Sequence, residues 1–366
     1  MRFKPMCSRK IDVNKRRVTS KILAMAVALP MAAIGSPCAT AASPAPQIWF
    51  APDNDTSDYL DLFRKPETWR SARSHISVLK VGPQQAGGPN RTGKNTLAQL
   101  REAGAFRQLA AWGIALAIEV PAIKPWDCTG RIAVQRTLDL IENVRKAGGK
   151  VEFVSMDEPL ASGIRFCKDT LEGSAVKTAE YMKQVAAKEP HVQIGDTEAY
   201  PYFSIGELKS WLAALQKNGV TPAYVHLDAN IHRIDKSPHL DLAADLRGLQ
   251  NYLSSKRIPF GIIMWSGYNP APSDKAYFDR TLLWIKRVRD AIGAPDQIIF
   301  QSWVIRSAPR CKDTDVSCDP DKLRCMPEDP PGCGEQTVPN NLPENDPASF
   351  SHTRLINEGL AMLGHR

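Results

Sequence analysis

The sequence predicts a single (β/α)8 barrel, a TIM-type α/β fold, on three observations. Short apolar runs alternate with longer amphipathic ones along the chain. The short runs are continuously apolar, as strands buried on both faces of a parallel sheet are. The alternation repeats eight times without a break, which is the count that closes such a sheet on itself with right-handed crossovers.

The eight strands are expected at "QIWFAP" (47–52), "HISVLKVG" (75–82), "IALAIEVPA" (114–122), "VEFVSMDEP" (151–159), "VQIGDTEAYP" (192–201), "AYVHLDAN" (223–230), "PFGIIMWSG" (259–267) and "QIIFQSWV" (297–304). Between them, "RIAVQRTLDLIENVRKAGG", "SAVKTAEYMKQVAAK", "IGELKSWLAALQKNG", "LDLAADLRGLQNYLSSK" and "AYFDRTLLWIKRVRDAIG" carry apolar residues at three-to-four spacing. Several end in Gly after Lys or Arg, as helix C-termini do. A last helix is expected over roughly 348–363. The run "DNDTSD" at 53–58 is expected to cap the first helix through Thr56 or Ser57.

Residues 1–41 read as an export signal and 47–366 as one barrel. The leader carries eight basic residues against one Asp over 1–21, then the apolar run "ILAMAVALPMAAIG" and the small-x-small site "ATA" at 39–41. Its basic surplus accounts for most of the formal charge of +8. The remainder is close to neutral, which argues against a nucleic-acid partner, and no later run is long enough to span a bilayer. The expected product is a secreted or periplasmic monomer with a carbohydrate partner and neither cofactor nor metal.

Six cysteines remain beyond the leader, at 128, 167, 311, 318, 325 and 333. Their number suits an oxidising compartment, and the spacers among the last four do not match zinc knuckles. Cys128 and Cys167 fall on neighbouring strand-to-helix loops and are expected to pair. Residues 304–348, rich in Pro, Asp and Cys, are expected to form a disulfide-rich loop after strand eight, over the barrel mouth.

Function in such barrels is built at the C-terminal ends of the strands. Those ends carry Asp53 and Asp55, Lys80, Glu119, Asp157 and Glu158, Asp196 and Glu198, Asp228 and Asn230, Trp265, and Gln301 with Trp303. With Trp126 on the loop after strand three, this is a carboxylate-rich, tryptophan-rimmed cup. Carboxylates and amides bind hydroxyls and indoles pack on pyranose faces, so the cup has the profile of a sugar site. Trp49 and Trp112 read as packing residues. Glu119 is expected either to bind a hydroxyl or to pair with Lys80.

Asp157-Glu158-Pro159 resembles the Asn-Glu-Pro that ends strand four in clan-A (β/α)8 glycoside hydrolases, with Asp in place of Asn. The resemblance implies a glycoside hydrolase-like enzyme in which Glu158 is the general acid/base. It also implies a nucleophilic Glu at the end of strand seven, where this chain has "IIMWSGYN" and no acid. The partner of Glu158 is therefore expected to be Asp228 or Glu198. Asp157, Asp196, Asn230, Glu119 and Lys80 would bind and orient substrate, and Trp126, Trp265 and Trp303 would stack on sugars.

Two other readings stand beside this one. A metal-dependent barrel would use His226, Asp228, Glu158, Glu198 and His232. A degenerate barrel would keep its sugar-binding walls without turnover. The loop "GPNRTGK" (88–94) approaches a phosphate-binding motif, but Asn95 stands where Ser or Thr is required, and a Gly-rich turn is expected instead.

Overall fold

The computed structural model describes residues 45–364 apart from 55, 57, 91–92, 268–273, 303–343 and 345–349. The expected leader, the cysteines at 311, 318, 325 and 333, Asp55, Ser57 and Trp303 lie outside the described residues. No helix among the described residues is long and apolar enough to cross a membrane.

Eight parallel strands close into a barrel in chain order. They are β1 (Gln47–Ala51), β2 (Val78–Val81), β3 (Ala115–Val120), β4 (Val151–Asp157), β5 (Gln193–Tyr200), β6 (Val225–Ala229), β7 (Phe260–Met264) and β8 (Gln297–Gln301). Each lies within the segment that its apolar run predicts. Closure is made by β1 against β8, in register from Gln47 opposite Gln297 to Ala51 opposite Gln301.

The helices are α1 (Asp61–Arg64), α2 (Arg70–His75), α3 (Leu97–Glu102), α4 (Ala105–Trp112), α5 (Arg131–Lys146), α6 (Pro159–Arg165), α7 (Leu171–Lys188), α8 (Ile205–Lys217), α9 (Ile231–Asp235), α10 (Leu242–Ser255), α11 (Asp274–Ile292) and α12 (His352–Met362). Their starts follow local chemistry. Thr96 before α3 and Ser204 before α8 form capping boxes with Gln99 and Glu207, and Thr170 and Ser351 cap α7 and α12. The expectation that Thr56 or Ser57 caps the first helix is corrected. α1 begins only at Asp61, after Leu60 and without a side-chain cap, because the 53–60 segment first makes turns of its own, with the N–H of Thr56 on the carbonyl of Asp53 and that of Tyr59 on Thr56.

The barrel interior is filled by rings that meet from different strands. Trp49 of β1 lies edge-on to Phe153 of β4 at 5.0 Å and to His226 of β6 at 4.9 Å. Glycines make room for them: a Cβ on Gly195 would stand 2.1 Å from the Tyr224 ring, and one on Gly261 2.5 Å from His226. Trp49 is fully buried, and Trp112 packs between Phe63 and Arg73 on the helical layer, as expected of packing residues. His226, with its Nε2 bonded to Gln297 and its ring against Trp49 and Tyr224, belongs to this core. Burial first, and the Lys80 charge second, push it down to about 3, so it is neutral.

The Gly-rich segment after β2 has a structural anchor at its end. Asn95, at φ 51°, donates through its side-chain amide to the carbonyls of Asn54 and Thr56, tying this loop to the one after β1.

Candidate active site at the mouth of the barrel

Alternation along a strand sends every second side chain inward, and inward residues at the strand tips face the mouth. On β2, β3 and β8 these are Lys80, Glu119 and Gln301. Lys80, almost fully buried, donates to Glu119, and Gln301 donates to the same carboxylate oxygen at 3.3 Å. Glu119 is thus the partner of Lys80, one of its two expected roles.

Asp157 ends β4 and accepts an ion pair from Lys124 at 2.6 Å. Lys124 sits on the loop after β3, which the disulfide Cys128–Cys167 joins to the connection between α6 and α7 with Cα atoms 5.5 Å apart. The predicted pairing is present.

Glu158 follows as the first residue beyond the strand. Its N–H donates to the carbonyl of Thr197, and its φ of 47° and ψ of 55° turn the chain from β4 into α6 through Pro159. Burial, then the charges of Asp157 and Asp228, raise its carboxyl to about 8 against the opposing charge of Lys124. Asp228, inward on β6, is raised to about 7 by burial and by the charge of Glu119. Lys80 and the indole of Trp265 oppose that shift. One Asp228 oxygen is buried without a hydrogen-bond partner among the described residues.

Glu158 and Asp228 line one cavity of about 150 Å3, together with Asn230 and Trp265. Asn230 caps α9 through its side-chain oxygen, and Trp265 stands just past the tip of β7. Arg165, Arg233, Tyr200 and Tyr202 complete most of the wall. Sequence reasoning missed the arginines and Lys124. The signal was available in part: Arg165 follows Glu158 by seven residues and Arg233 follows Asn230 by three, spacings that return to the same helical face.

Asp196 and Glu198 require correction, because the alternation on β5 turns both outward. Asp196 accepts from the Trp211 indole of α8 at 2.7 Å, and Glu198 accepts from the backbone N–H groups of Leu160 at 2.6 Å and Ala161 at 3.3 Å. The inward residues there are Thr197, bonded to Ser155, and Ala199, on the cavity wall. Burial raises Asp196 to about 7. Burial and the charges of Asp196 and Glu158 raise Glu198, while its two N–H donors oppose the rise. Neither residue lines the mouth cavity; both border a small gap behind β5.

Trp126 is exposed but holds the Arg136 guanidinium 4.0 Å from its ring centre, so one face is already covered. With His226 in the core and Glu198 facing outward from β5, the residues that the alternative metal-dependent reading would use do not come together. No group of three or more His, Cys, Asp or Glu among the described residues could hold a metal ion.

No known family model matches the sequence, and no curated protein matches it. Similar solved structures include a variant of Xylanase10C from Cellvibrio japonicus in complex with xylopentaose, at 9% identity and TM-score 0.49 over 89% of this chain and 68% of that one. A glucosidase from Croceicoccus marinus is similar at 11% identity and TM-score 0.46, over 84% of this chain and 64% of that one. An aldo-keto reductase of the silkworm Bombyx mori is similar at 13% identity and TM-score 0.35, over 59% of this chain. The chain spans 58% of the reductase's length. These likenesses carry no argument about activity; the barrel rests on the strand order of the chain itself.

Proposed function

We propose that the chain is a glycoside hydrolase-like enzyme in which Glu158 is the general acid and Asp228 the base or nucleophile, acting on a carbohydrate outside the cytoplasm. The observation that carries this reading is that the two carboxyls share one cavity at the barrel mouth, beside an indole. Glycosidic cleavage needs one carboxyl protonated and its partner ionised. Both are raised, Glu158 to about 8 by burial and by the charges of Asp157 and Asp228, and Asp228 to about 7 by burial and by the charge of Glu119. The larger rise favours Glu158 as the group that holds the proton. Glu158 then donates to the departing glycosidic oxygen, and Asp228 activates water or attacks the anomeric carbon. Trp265 supplies a sugar platform, and Asn230 a hydroxyl partner.

Release of reducing ends from a panel of polysaccharides and aryl glycosides tests this. Glu158→Gln and Asp228→Asn should each lower kcat by about 10²–10⁴-fold. A wild-type chain inactive on the whole panel, or turnover unchanged in Glu158→Gln, would sink the hydrolytic mechanism. Trp265 past β7, where the resemblance implies a carboxylate, favours a second reading: a sugar-binding wall without turnover. In that case wild type and Glu158→Gln would bind glycans alike and neither would cleave them.

A further inference from the structure

The cavity holding Glu158 and Asp228 encloses about 150 Å3, less than the roughly 300–1,000 Å3 of pockets that take a whole small ligand. It is one part of a larger site. A sugar unit seated there keeps its chain neighbours outside, so the surface next to the cavity decides how long a glycan the chain can hold.

The three exposed aromatic residues among the described residues all lie on one side of the mouth, on connections that follow the neighbouring strands β3, β4 and β5. Trp126 is on the loop between β3 and α5, Phe166 directly follows α6, and Tyr202 lies between β5 and α8. Their exposures are 44%, 51% and 37%. Exposed apolar side chains scattered singly need no explanation, but these three are linked by contacts that start at the cavity. Tyr202 stands on its wall and leans edge-on against buried Phe203 at 4.8 Å. The Arg165 guanidinium lies against Tyr202 at 4.7 Å and against Phe166 at 5.2 Å, so it joins the two rings. Phe166 precedes Cys167, whose disulfide partner Cys128 is two residues from Trp126.

The same staple fixes the rings relative to the carboxyls. Both sulfurs approach the Lys124 carbonyl at 3.7 Å, and Lys124 pairs with Asp157 next to Glu158. Arg136 holds Trp126 as Arg165 holds the other two rings. Rings immobilised before the ligand arrives lose little freedom on binding, and pyranose faces pack on such rings.

We infer that Tyr202, Phe166 and Trp126 form a ledge of sugar platforms leading out of the cavity, so that the ligand is a linear glycan several units long, bound at an internal position. This rests on the proposed reading for the sugar, while the length dependence rests on the ledge.

The test is calorimetric titration of the chain carrying Glu158→Gln, which prevents turnover, with xylo-, cello-, laminari- and chito-oligosaccharides of two to six units. In the series that binds, affinity should rise about tenfold or more from two units to six. Trp126→Ala and Phe166→Ala should each weaken the six-unit member about three- to tenfold, with little effect on the two-unit member and none on the circular dichroism spectrum. Tyr202→Ala should weaken both, since Tyr202 also lines the cavity. Cys128→Ser with Cys167→Ser should lose part of the gain with length.

Affinity independent of length would overturn the inference, as would a gain with length that both ring substitutions leave intact, or no binding in any series. A dimer in solution that Phe166→Ala dissociates would assign the ledge to a second copy of the chain instead. Ring-dependent binding of long oligosaccharides by a chain that hydrolyses nothing would leave this inference standing and remove the hydrolytic one. Hydrolysis with length-independent affinity would do the reverse.

Discussion

Glu158 occupies left-handed backbone space at φ 47°, which costs a non-glycine residue about 1–3 kcal/mol. The turn brings the carboxyl beside Asp157 and toward Asp228, where burial and like charge hold its proton. A pH profile follows from the two carboxyls. Activity should rise as Asp228 ionises near about 7 and fall as Glu158 ionises near about 8, giving a narrow bell in kcat/KM. Lys124 acts on the alkaline side, since its positive charge lowers the Glu158 carboxyl. Lys124→Met should therefore move the alkaline limb to higher pH, and a limb that stays in place would separate Lys124 from the proton on Glu158.

At the scale of elements, α6 is attached to the barrel through Glu198, whose buried carboxyl oxygens accept from the N–H groups of Leu160 and Ala161. Removing it leaves buried donors unpaired, at a cost of about 1–3 kcal/mol. Glu198→Ala should lower the thermal midpoint and, by loosening the turn that holds Glu158, lower kcat more than it raises KM. Glu198→Gln, which keeps one acceptor, should recover part of both. The disulfide acts on neighbouring elements: closing a loop of sequence separation 39 is worth about 4 kcal/mol by chain entropy. Cys128→Ser with Cys167→Ser should lower stability by up to that amount, read from chemical denaturation. The strands were legible because continuous apolar runs admit few alternatives, and the disulfide because its cysteines fall on adjacent loops. The facing of β5 was not, because "GDTEAY" alternates acid with small residue and neither set is apolar; only the register against β4 and β6 decides which set turns inward. Lys124 and the arginines lie on loops and short helices, whose direction no periodicity announces.

For the whole molecule, function and stability pull against each other through protons. Glu158, Asp228, Asp196 and Glu198 all have raised carboxyls in the fold, so the folded chain binds more protons than the unfolded chain once pH exceeds the ordinary carboxyl range. Stability from Glu158, Asp228 and Asp196 is full below about 4 and is lost as pH rises through about 7 and 8, and Glu198, raised well above its ordinary value, acts in the same direction. Buried His226 and His352, both pushed down to about 3 by burial, work in the opposite direction. The unfolded chain takes up their protons below about 6.5, so they remove stability as pH falls and contribute no slope above that point. Between pH 6.5 and 8.5 the carboxyls act alone among these groups, and the thermal midpoint should fall. Asp196 divides the fall into a structural and a functional share, because it lies behind β5, bonded to Trp211 and away from the cavity. Asp196→Asn can still accept the indole N–H, and should flatten the decline while leaving the pH profile of catalysis in place. Asp228→Asn should also flatten it but abolish turnover. A thermal midpoint independent of pH over this range in the wild-type chain would mean that the buried acids ionise at ordinary values, removing the proton economy on which the catalytic reading draws.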